Sequence, residues 1–116
     1  MNPKALVLCS ALMATPTWAQ LTYDMYEPMK DTKEMKNYLL GMIGGVMATH
    51  YAMKDETGKQ LFCMPPTERV NTNTASAVLA AAAKMQPEFT GKAPLEMMYL
   101  NGLMHIFPCA KPAGQQ

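Results

Sequence analysis

The sequence is poor in the residue types on which most chemistry depends. It has one arginine, Arg69, two histidines, His50 and His105, and no serine after Ser10 except Ser76. Acidic and basic side chains nearly cancel, leaving a formal charge of +1. Such a chain has no electrostatic footprint for nucleic acid or an anionic membrane surface. No segment alternates with the period of a strand, and no internal repeat is present. No apolar run reaches the roughly 20 residues that a membrane-spanning helix needs. At 116 residues the chain has room for one small domain and little room for a large active-site cleft.

The N-terminus has the grammar of an export signal. Met1 to Lys4 is a short positive segment and Ala5 to Ala14 is an uncharged apolar one. Thr17-Trp18-Ala19 then places small residues where a signal peptidase reads them. A lipoprotein reading at Cys9 fails because bulky Leu8 occupies the cleavage position. The expected organisation is a signal peptide at 1–19, one helical domain at 20–109 and a flexible polar tail at 110–116. The expected product is soluble and exported, most simply to a bacterial periplasm. With Cys9 removed, two cysteines remain, Cys63 and Cys109, and an oxidising compartment implies that they pair. A bridge closing the loop from 63 to 109 contributes roughly 4 kcal/mol by chain-entropy reasoning. Small domains have modest cores and need such staples.

Residues 20–30, interrupted by Pro28, read as an irregular arm. Asp31 and Glu34 then give a D-x-x-E start signal. Met35, Tyr38, Leu39, Met42, Ile43, Val46, Met47 and His50 recur at three- and four-residue steps, predicting an amphipathic helix over about 32–54. Gly41, Gly44 and Gly45 interrupt it, each costing about 1 kcal/mol relative to Ala. The reading preferred here is that Gly41 and Gly45, one turn apart, admit a second helix at close range. A second helix is expected over about 73–86, with Val78, Leu79, Ala82 and Met85 inward and Pro87 as its stop. A third is expected over about 94–107, opened by Pro94, with Leu95, Met98, Tyr99, Gly102, Leu103 and Ile106 inward. The fold class is therefore all-α, a three-to-four-helix domain stapled by one disulfide.

Three stretches together resemble a known family. They are Tyr38-Leu39-Leu40-Gly41, Leu61-Phe62-Cys63-Met64-Pro65 and the closing Ile106-Phe107-Pro108-Cys109. Their order and spacing resemble the Rap/Tai family of small periplasmic immunity proteins associated with type VI secretion. The match runs from Tyr38 to Cys109. It implies a helical domain whose bridge joins the cysteine of an F-C-x-P segment to that of a terminal F-P-C. On this resemblance Tyr38, Gly41, Gly45, Phe62, Pro65, Phe107 and Pro108 are structural motif positions. The implied partner is a secreted effector, a peptidoglycan amidase, and homodimers occur in the family. One departure is that Val46-Met47-Ala48 is apolar where the family often carries an acid after its glycines.

No catalytic constellation emerges from the remaining residues, and the chain is not expected to be an enzyme. A cysteine nucleophile needs a free thiolate, which a disulfide removes. Ser76 lies in an alanine-rich helix without a nucleophile-elbow context. His50, His105, Cys63 and Cys109 amount to four zinc-type ligands, but the disulfide takes two, and no metal or cofactor is expected. Both histidines are expected to be half-buried or exposed. Methionine is the outlier, with 13 residues. Thioethers suit Cu(I), yet here they follow the helix stripes, which favours adaptable packing. Met97 and Met104 are expected off the main inner face, available to a partner or dimer groove. The function expected is protein binding of the immunity type. The alternatives are an acid-activated chaperone of the HdeA type and an accessory factor of another secretion or conjugation system.

Overall fold

A computed structural model describes residues 20–110. The expected signal peptide, 1–19, and all of the expected tail beyond Ala110 lie outside the described residues. Within them the fold is helical, without strands, in the order α1 (Tyr23–Tyr26), α2 (Lys33–Thr57), α3 (Thr72–Met85) and α4 (Leu95–Ile106). Short 3-10 turns at Glu27–Met29 and Pro87–Phe89 punctuate it.

Local chemistry sets the ends of these helices. The Thr32 side chain, rather than Asp31, caps α2 by accepting from the Met35 N–H at 3.2 Å. The helix stops where Gly58 turns left-handed at φ 71° and donates its N–H to the Lys54 carbonyl. α3 opens on a reciprocal capping box. Asn71 Oδ1 accepts from the Thr74 N–H at 2.9 Å, and Thr74 Oγ1 accepts from the Asn71 N–H at 3.0 Å. Pro94 caps α4 from outside it, one position earlier than the expected first-turn place.

α3 and α4 form a hairpin, and α2 packs across it. Leu39, Met42, Phe62, Leu79, Leu95, Tyr99 and Leu103 are among the side chains of the common core. Two expected inward residues, Met85 and Ile106, are exposed; each is the last residue of its helix, where packing on the inner face ends. The N-terminal segment also departs from expectation. It is no irregular arm: α1 buries Tyr26 to 1 % exposure. The Tyr26 hydroxyl donates to Ser76 Oγ at 2.8 Å. The segment is tied to the start of α4 by the Leu95 N–H donating to the Leu21 carbonyl at 2.7 Å. A second backbone bond runs from the Asp24 N–H to the Thr90 carbonyl at 3.0 Å.

The Cys63–Cys109 bridge is formed, with Cα atoms 4.8 Å apart. Beside it the Cys63 N–H donates to the Phe107 carbonyl at 2.8 Å, so the sulfurs reinforce a backbone contact. Phe62 fills the core, Phe107 packs half-buried against it, and Pro65 and Pro108 face outward.

Candidate functional site: an apolar groove and a buried histidine

Close packing of a second helix on Gly41 and Gly45 does not occur. A Cβ built at Gly41, Gly44 or Gly45 meets nothing within 4 Å. The closely packed glycine is Gly102 on α4, where an added Cβ would lie 2.6 Å from Val78 Cγ1 of α3. The sequence period marks both sets of glycines as helical but does not tell which face another helix covers.

The uncovered glycines instead open a groove of about 640 Å³ between α2 and α4. One wall is the α2 stripe of Asn37, Tyr38, Gly41, Met42, Gly45, Val46 and Thr49. The other is Glu96, Met97 and Leu100 of α4, with Leu61 also lining the space. Missing side chains on α2 create this volume. Met97, 48 % exposed, faces it as the sequence spacing anticipates. Among the lining residues, Tyr38 and Glu96 supply a polar pair that spans both walls, the Tyr38 hydroxyl donating to Glu96 Oε1. Burial first, then the bond to Glu96 and its charge, push the Tyr38 phenol well above its ordinary pKa, so it stays a donor at neutral pH. Thr49 donates back to the Gly45 carbonyl at 2.8 Å, satisfying its hydroxyl within the helix.

A second cavity, about 250 Å³, lies on another face of α2 around His50. His50 is buried, contrary to the expected half-buried or exposed setting. Its ring stacks on Phe62 with centroids 4.0 Å apart and meets the edge of Tyr51 at 5.3 Å. Nδ1 is buried without a hydrogen-bond partner. Burial, then the Lys54 ammonium, lowers the His50 pKa and keeps the ring neutral. His105 lies exposed on α4. Ser76 Oγ accepts from the Tyr26 hydroxyl, and Cys63 and Cys109 are bonded to each other, so neither sulfur is a free thiol. Among the described residues no three His, Cys, Asp or Glu side chains gather into a metal-binding group. None of their helices is long and apolar enough to cross a membrane.

Neither a protein-family model, nor a curated protein, nor a solved structure matches this chain.

Proposed function

We propose that this chain is an exported, disulfide-stapled binding domain of the immunity type, which inhibits a secreted peptidoglycan-degrading effector. The observation that supports this best is the α2/α4 groove. It is preformed, largely apolar and lined by backbone at Gly41 and Gly45, so an inserted side chain or loop can approach α2 closely. Interfaces of this kind take most of their affinity from a few anchors in desolvated pockets. The Tyr38–Glu96 pair supplies directional polarity beside the apolar floor. The resemblance of the Tyr38 to Cys109 span to Rap/Tai proteins names the effector class.

The test is protection. A secreted peptidoglycan amidase that co-purifies with the chain is expressed in the periplasm with the wild-type chain or with Gly41→Leu or Gly45→Leu, and capture of no such enzyme would itself count against the reading. Open space at both glycines lets the fold accept a side chain and leucine is the better helix former, so the variants should melt no lower than the wild type and lose protection. A protein that neither protects cells nor inhibits the amidase in vitro would refute the reading.

The acid-activated chaperone reading draws on one observation, the buried neutral His50 between α2 and the Phe62 segment. It requires that acid release this packing and that the opened form suppress aggregation of a denatured client. Retention of the folded state at pH 3 would exclude it.

A further inference from the structure

The groove between α2 and α4 has a direction. Tyr38 and Glu96 join its two walls near the start of both helices. Val46 and Thr49 line it two to three turns farther along α2. Between these ends Gly41 and Gly45 leave the backbone of α2 bare on this face. Met42, Val46, Leu61, Met97 and Leu100 make the lining largely apolar.

Glu96 is the one charged side chain on these walls. It is half-buried, and the Tyr38 hydroxyl donates to its Oε1. That bond satisfies one oxygen and leaves the charge in place. The one ion pair among the described residues is Lys30 with Glu27, so no lysine or arginine there neutralises Glu96. Its Oε2 has no hydrogen-bond partner among them and stays open to solvent, because the one buried side-chain polar atom without a partner is His50 Nδ1. The first turn of α4 favours an acid at this position but offers only a partial positive charge. A half-buried carboxylate gains more from a cation than one fully in water does, since less solvent screens the pair. Lysine and arginine match both features of the groove, with an apolar stem and a charged head.

We propose, resting on the groove as the surface that meets the effector, that it takes a segment of that protein which lays apolar side chains along Gly41 to Val46 and sets one lysine or arginine against Glu96. Tyr38 and Val46 are about 12 Å apart along the axis of α2. The cation and the farthest apolar anchor of the segment are therefore separated by about two helical turns, or by about four extended residues.

The charge preference is measurable without the effector. n-Octylguanidinium carries an arginine-like head on an apolar chain, n-octanoate carries the opposite charge and n-octanol carries none. Each is titrated into the full chain with the Cys63–Cys109 bridge intact, and the methyl groups of Met42, Val46, Met97 and Leu100 are followed by NMR. Octylguanidinium should shift them saturably and bind at least about tenfold more tightly than octanoate, the scale of a hydrogen bond to a charged group. Glu96→Gln keeps an acceptor for Tyr38, so it should melt with the wild type and bring octylguanidinium down to the affinity of octanol. Equal affinity for octylguanidinium and octanoate, no saturation at these methyls, or unchanged octylguanidinium affinity in folded Glu96→Gln would overturn the proposal. Selectivity for octylguanidinium in a chain that captures no amidase would uphold the cation preference and refute the effector reading alone. Amidase inhibition undiminished by Glu96→Gln would uphold the effector reading and overturn the proposal.

Discussion

A methyl group added at Gly102 would lie 2.6 Å from Val78 Cγ1 and 3.1 Å from the Val78 carbonyl oxygen. The first atom can move; the second belongs to the backbone of α3 and moves only with the helix. Gly102→Ala should therefore destabilise the domain by about 1–3 kcal/mol, the usual cost of overpacking. Gly41→Ala meets open space. It should stabilise by about 0.5–1 kcal/mol, because alanine loses less backbone freedom in a helix. Urea unfolding of the two variants reads opposite shifts in midpoint. His50 supplies the other residue-scale prediction. Its pKa in the fold lies below the ordinary value of 6.5. Between those two values the unfolded chain takes up a proton that the fold refuses. Stability is thus fully present above about pH 6.5 and declines as pH falls through that window. The titratable residues that share the cavity with His50 are Tyr51 and Lys54 on α2 and Glu68. Melting temperatures from pH 7.5 to 5 should fall in the wild type, with a shallower slope in His50→Gln.

Among the elements, helix ends and helix faces differed in how far they could be read beforehand. Pro87, the run Asn71 to Thr74, and the three- and four-residue spacing of Met35, Leu39 and Met42 act locally, so α2, α3 and α4 are legible in the sequence. α1 is four residues long, and its stability is not local. It is held by Tyr26 entering the core and by backbone bonds to Thr90 and from Leu95, contacts that only the assembled hairpin provides. The glycine stripe failed for the same reason. Spacing identifies a face, and only tertiary packing tells whether the face is covered. The capping box offers an element-scale test. Asn71→Ala leaves the Thr74 N–H without its acceptor and should cost about 1 kcal/mol, the common value for such caps. The loss should appear as faster amide hydrogen exchange in the first turn of α3.

Across the whole molecule, the disulfide is the feature the sequence disclosed most completely, since setting Cys9 aside with the expected signal peptide leaves two cysteines and one pairing. The groove between α2 and α4 and the cavity beneath His50 could not be read there, because each joins walls distant in sequence. Their lining residues were visible singly: glycines on one stripe of α2, and methionines and a histidine on others. Cys63→Ser should cost about 2–5 kcal/mol, as removal of a native bridge from a small domain does. Reduction of the wild type should lower the melting temperature to that of the variant.

The bridge also divides the chain by mechanical path. A pull applied at the two ends of the described domain reaches Cys63 from one side and Cys109 from the other, and crosses between them through sulfur. α3 and α4 lie inside that closed ring and carry none of the tension, while α1 and α2 lie outside it and carry all of it. The molecule stretched in its oxidised form should therefore yield only its N-terminal half. Reduction then frees a span of 46 residue steps, about 160 Å of added contour length.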